Sequence, residues 1–290
     1  MAVRAMARQA WRTALGLLLA LALGGCSLVE LGYHQLDWIL LQRVEALVYL
    51  EADQRARLQQ DIDALLDWHC RTELPRYVTL IRDIRRDFQR GDITRASVER
   101  YSARIEDRWY ALLTQGSGAT ARLLASLSDR QLAELDAALA ERNREMAREV
   151  RTAAARDSSR GYARAAERHW TRVLGRLTAE QDDAIAAWAR DFEPLGQAGV
   201  DYRERLHQRL QRLLREHRGD PNGLERALDS FIGDLRNAPP PDYAARVDAN
   251  KRRSLDMVTA VANSATPEQV RHLSRRLEGW SRELGDIDCG

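Results

Sequence analysis

Leu127-Ser128-Asp129-Arg130-Gln131-Leu132, continued by Leu135, Leu139, Met146 and Val150, reads as the opening of a long α-helix. A hydroxyl residue three positions ahead of a Gln is a capping box. The hydroxyl accepts from a free backbone N–H of the first turn, and the Gln reaches back to the cap residue's own N–H. Asp129 suits the positive end of the helix. The apolar residues beyond it recur every three or four positions, the signature of one helix face. The same opening returns as Leu177-Thr178-Ala179-Glu180-Gln181 and as Thr266-Pro267-Glu268-Gln269. Leu50-Glu51-Ala52-Asp53-Gln54 is a degenerate copy with an acid in place of the hydroxyl. The Gln residues stand 77, 50 and 88 positions apart, which excludes a regular solenoid. Ser128, Gln131, Thr178, Gln181, Thr266 and Gln269 are thus candidate helix-capping residues.

The rest of the chain agrees with an all-α fold. Ala, Leu, Arg and Glu dominate, and 30% of residues are charged, as in a helical protein with narrow apolar stripes. Apolar stripes run through Leu36, Ile39, Leu40, Val44, Leu47 and Val48, then Leu58, Ile62, Leu65, Leu66 and Trp68, then Tyr77, Leu80, Ile81, Ile84 and Phe88. Val98, Tyr101, Ile105, Trp109 and Leu112 define another face expected to turn inward. Gly91-Asp92, Gln115-Gly116-Ser117-Gly118 and Ser158-Ser159-Arg160-Gly161 read as stops or breaks, Asp220-Pro221 as a capped start, and Pro239-Pro240-Pro241 as a linker. The expectation is roughly nine or ten amphipathic helices, packed as one elongated bundle or two adjoining ones. Their division would be an N-terminal subdomain at 26–126, a central one at 127–238, and a linker with a C-terminal helical pair at 239–290.

Residues 1–25 look like a bacterial lipoprotein signal peptide. Arg4, Arg8 and Arg12 precede an uncharged stretch from Thr13 to Gly25, too short to span a bilayer, and Cys26 follows. The resemblance implies a mature chain beginning at a lipidated Cys26, carrying acyl chains such as palmitate. Ser27 rather than Asp after the Cys points, by the same resemblance, to the outer membrane with the protein facing the periplasm. Without residues 1–25 the chain holds 42 basic and 43 acidic residues, net −1. The basicity of the whole chain therefore resides in the leader and makes no case for nucleic acid.

With Cys26 acylated, Cys70 and Cys289 remain in an oxidising compartment. They either form a disulfide tying the tail to the second helix, or stay as a buried Cys70 and a free tail thiol. His69-Cys70 invites a metal reading, but His34, His169, His207, His217 and His272 lack ligand spacing, so no metal or other cofactor is expected. No nucleophile–base–acid order and no phosphate-binding glycine loop stands out. The expectation is a protein that is not an enzyme.

Trp68, Trp188 and Trp280 follow the Gln of their own helices by 14, 7 and 11 positions, offsets that return to nearly one helix face. They either share a core or line a groove for a client or partner.

Two stretches carry a wider resemblance: Gly32-Tyr33-His34-Gln35-Leu36-Asp37-Trp38, and Leu66-Asp67-Trp68-His69-Cys70-Arg71-Thr72-Glu73-Leu74-Pro75-Arg76-Tyr77. With the leader and Leu177–Trp188 they resemble an uncharacterised family of proteobacterial lipoproteins, known only as a domain of unknown function. Cys70 departs from that resemblance, which implies a basic residue there. The LTxxQ form itself resembles, over about five residues at a time, a motif of small helical periplasmic stress chaperones. Three roles follow in order of expectation. The first is an interaction or envelope-maintenance protein, bound to the membrane through its lipid and to another envelope protein. The second is a holdase-like chaperone, and the third an envelope hydrolase. Nothing in the chain specifies an oligomeric state.

Overall fold

The computed structural model describes residues 32–33, 35–154 and 158–289. The leader, Cys26 and His34 lie outside the described residues, and so does the 155–157 join. The fold is all-α, with no strand among the described residues. Its helices are α1 (Leu36–Glu45), α2 (Ala52–Trp68), α3 (Leu74–Arg90), α4 (Arg95–Gln115), α5 (Ser117–Ser126) and α6 (Asp129–Ala154). They continue with α7 (Ser158–Leu174), α8 (Ala179–Asp191), α9 (Gly196–Glu216), α10 (Pro221–Asn237), α11 (Pro241–Asn263) and α12 (Pro267–Gly285). A π-helical turn, His69–Glu73, runs α2 into α3 without a break, and α4 and α5 abut at Gly116. Ser158–Gly161 forms the first turn of α7 rather than an interruption.

The stops are chemical. Gly91 ends α3 at φ 70°, a left-handed conformation open to glycine. Asp220 caps α10 by accepting from the Gly223 N–H at 2.9 Å. A Cβ on Gly223 would lie 2.2 Å from that carboxylate, so a side chain there would displace the cap.

Two hydrophobic cores adjoin. The first gathers Leu41 of α1, Leu58 and Ile62 of α2, and Leu135 of α6, with Val48, Leu50 and Leu127 from the connections. The second gathers Phe88 of α3, Leu174 of α7, Ile185 of α8, Leu255 and Val261 of α11, and Leu273 and Leu277 of α12. Ala121, Leu224 and Leu228 link α5 to α10 beside the first core. Each core collects helices far apart in the chain. The α3–α12 pair is antiparallel, tied by Arg82 Nε to Ser281 Oγ at 3.1 Å and Arg85 to Glu278 at 3.0 Å.

One device organises both cores. In the first, the Gln54 and Gln131 side-chain amides donate to each other's oxygens, at 3.3 and 2.6 Å. In the second, Gln181 and Gln269 do the same at 2.9 Å in both directions. Each Gln oxygen also accepts from the N–H of its own cap residue: Glu51, Ser128, Thr178 or Thr266. Each amide nitrogen also donates to the carbonyl five residues ahead of its partner: Ser126, Tyr49, Ser264 or Arg176. All four side chains are buried and fully satisfied, so burial carries little penalty. Four residues on from each Gln stands a buried aliphatic: Leu58, Leu135, Ile185 and Leu273. The clasp therefore sets two helix starts side by side and aims both apolar faces into one core.

Candidate functional site

The Trp68–Tyr77 stretch forms a polar knot around the π-helical turn. Inserting one residue into a helix re-aims the side chains that follow it, and such turns are frequent at functional sites. Here the turn buries Glu73 completely. Its Oε1 accepts from Arg76 at 2.6 Å and from Arg108 of α4 at 3.5 Å, while Oε2 has no hydrogen-bond partner among the described residues. His69 lies one turn back, its Nδ1 3.0 Å from the Tyr33 hydroxyl, which is also 3.1 Å from the Leu66 carbonyl oxygen. The ring of Tyr77 closes the other side at 5.6 Å. Burial pushes the His69 pKa below the ordinary imidazole value, and Glu73 opposes that only in part. Burial also raises Tyr77, helped by the Glu73 charge and opposed by Arg108.

Cys70 is bonded to Cys289 within this knot, with Cα atoms 5.7 Å apart. The tail is seated by Ile287, buried against Cys70 and Leu74. The knot thus combines a disulfide, a buried carboxylate shared by two arginines, and a histidine biased toward its neutral form.

The three tryptophans do not converge. Trp188 donates from its indole to Ser254 Oγ at 3.1 Å and packs on Phe192. Trp280 is 38% exposed beneath the Arg276 guanidinium. Trp68 is half-buried at the end of α2. Trp68 belongs to the helix clasped by Gln131, and Trp188 and Trp280 to the helices of the other clasp. Equal offsets on helices of different cores do not bring side chains together.

The α4 face departs most from expectation. Ile105 and Trp109, one turn apart, are each 57% exposed. Polar neighbours make the helix's contacts instead. Toward α3 and the π turn, Arg104 pairs with Asp83 at 2.8 Å, Arg108 reaches Glu73, and the Tyr101 hydroxyl donates to Asp87. Burial, with Asp87 adding to it, pushes Tyr101 up to about 12. Toward α10 and α11, Asp107 pairs with Arg236 and Glu106 with Lys251 at 2.7 Å. The stripe divides: Val98 is buried in the second core, Tyr101 and Leu112 are partly buried, and Ile105 and Trp109 face water while half-buried ion pairs bridge to the neighbouring helices. Periodicity finds a stripe, but it does not say which side the neighbours occupy. On α1, Trp38 and Ile39 are likewise exposed, although Ile39 was expected to face inward, while Leu41 is buried.

A hollow between α6 and α9 holds the remaining titratable cluster. His207 Nε2 is 2.7 Å from Asp136, which also accepts from Gln211. No group of three His, Cys, Asp or Glu converges for a metal among the described residues. No helix among them is long and apolar enough to cross a membrane.

No curated protein and no solved structure matches this chain. Residues 46–244, which include the π-helical knot, the α4 face and three of the four clasp glutamines, match the Family of unknown function (DUF6279), and the chain belongs to that family.

Proposed function

We propose that this is an outer-membrane-anchored periplasmic lipoprotein that acts by binding another envelope protein rather than by catalysis, and that the α4 face is its docking surface. The observation that carries this reading is the exposed apolar pair on α4: Ile105 and Trp109 at 57% exposure, one turn apart, beside charged residues engaged with neighbouring helices. Leaving a large indole in water while ion pairs occupy the packed sides is costly unless something covers the indole, and Trp is typical of binding hot spots. The leader and Cys26 support the anchor.

A photo-crosslinking residue at position 109, in living cells, is expected to capture one discrete protein. Ile105→Glu in the same chain is expected to abolish the adduct without loss of helix content. No adduct at either 105 or 109 would overturn the reading. Incorporation of labelled palmitate into the wild type but not Cys26→Ser tests the anchor separately. A holdase role is the second reading, favoured by the same exposed apolar surface. It predicts suppression of aggregation of an unrelated unfolded protein at near-stoichiometric ratio, which a docking role for one partner does not.

A further inference from the structure

The first core is incompletely filled. Between α1, α2 and α5, with α6 at one end, lies a cleft of about 440 Å³, a volume ordinary for a ligand site. Its walls are almost wholly aliphatic, among them Leu40, Val44, Leu47, Leu65, Leu123 and Leu124. Leu40, Val44, Leu47, Leu123 and Leu124 pack on the first core yet are only partly buried where they line the cleft. Protein interiors are normally close-packed, and lining atoms without neighbours forfeit their dispersion contacts. What sets this open cleft apart is its lining, which leaves aliphatic side chains of the first core facing water.

Three charged residues reach the cleft: Arg43, Asp61 and Arg142. Asp61 is occupied by Arg122, whose guanidinium sits 2.6 and 3.4 Å from its two oxygens. Arg43 and Arg142 are exposed and have no ion-pair partner among the described residues. An aliphatic slot with two uncommitted guanidinium groups on its rim matches an acyl chain ending in an anion. The slot removes methylenes from water, and guanidinium binds carboxylate or phosphate by charge-assisted hydrogen bonds. We propose that this cleft binds one acyl chain of an anionic amphiphile, with Arg43 and Arg142 on its head group. A peptide helix would use the apolar walls but leave the two arginines without a role. The inference stands whether or not Cys26 carries lipid, and it involves neither the α4 face nor its partner.

The test is photolabelling of the full-length protein in native membranes with diazirine-bearing palmitate, and in parallel with diazirine-bearing phosphatidylglycerol. Adducts mapped by mass spectrometry are expected on the cleft-lining residues of α1, α2 and α5, with the more efficient probe identifying the source of the chain. Val44→Trp, which fills the slot, is expected to cut labelling about tenfold. Arg43→Ala with Arg142→Ala lies on the surface and spares the core. It is expected to weaken labelling by the anionic probes about tenfold, as for loss of a charge-assisted contact, while leaving an uncharged diazirine fatty alcohol unaffected. Adducts scattered over the exposed faces, or cleft labelling unchanged by the arginine pair of substitutions, would overturn the proposal.

Discussion

Glu73 is the residue on which most of the polar knot depends. It is fully buried, and its pairing with Arg76 and Arg108 is what makes that burial tolerable. Glu73→Ala leaves Arg108 without its carboxylate inside a packed contact. The expected cost is about 3 kcal/mol, toward the low end for a broken buried pair because Arg76 is half in water. Urea unfolding should show a lower midpoint at unchanged slope, and an unchanged midpoint would mean the pairing is not needed. His69 adds a pH dependence with a definite sign. Its folded pKa lies below the unfolded value, so the unfolded chain takes up the proton first as pH falls. Stability should therefore be undiminished by His69 above the ordinary histidine range and decline as pH drops below about 6.5. His69→Asn should flatten that decline between pH 7 and 5, read by thermal melts in matched buffers. Neither role is visible in the bare sequence. No spacing in His69-Cys70-Arg71-Thr72-Glu73-Leu74-Pro75 marks Glu73 for burial, and it is the π turn that carries it inward.

At the scale of the helix, the glutamines were recognisable and their pairing was not. A capping box is local: Ser128 or Thr178 with a Gln three positions on specifies a helix start whatever lies nearby. The second use of the same amide is tertiary, and it depends on which start is adjacent. Even the degenerate Glu51–Gln54 copy proves a full member, because what the clasp needs is the Gln. The pairing makes a sharp thermodynamic prediction. Gln181→Ala removes two partners at once from the buried Gln269 amide, since its oxygen and nitrogen both face Gln181. Each single substitution at Gln181 or Gln269 should cost about 2–3 kcal/mol, because buried groups that were paired with the lost amide, on the partner Gln and on the backbone, lose hydrogen bonds. The double substitution should cost well under their sum, with a coupling energy of about 1 kcal/mol or more in a denaturant double-mutant cycle. Strict additivity would refute the clasp. The α4 helix gives the opposite case. Its apolar stripe is plain, yet only the Val98 end is packed in the second core, and along the rest Asp83, Arg236 and Lys251 on other helices engage the charged positions while Ile105 and Trp109 stay exposed.

For the whole molecule, helix content and most boundaries follow from periodicity, caps and glycines, whereas the grouping of helices into two cores does not. That grouping arises from contacts across long separations: the clasps, the α3–α12 pair and the Cys70–Cys289 bond. The bond encloses nearly everything. With a sequence separation of 219 between its cysteines, it constrains the unfolded chain of both cores at once. In the chain-entropy account a loop of that length is worth about 5 kcal/mol, comparable to the total stability of many domains. The tail it holds contributes little of its own, essentially Ile287 against Cys70 and Leu74. Cys289→Ser should therefore act through the unfolded state more than the folded one. Helix content by circular dichroism should be unchanged at rest, while the denaturant midpoint falls by an amount approaching that figure. Hydrogen exchange should rise mainly at the π turn and the end of α12, because local opening there no longer has to work against the bond, and the Gln54–Gln131 clasp should stay protected. Identical migration of the wild type and Cys289→Ser on a non-reducing gel, with equal midpoints, would show that the bond does not form and that the tail is held by its non-covalent contacts, Ile287 and Arg71 with the Cys289 carbonyl among them.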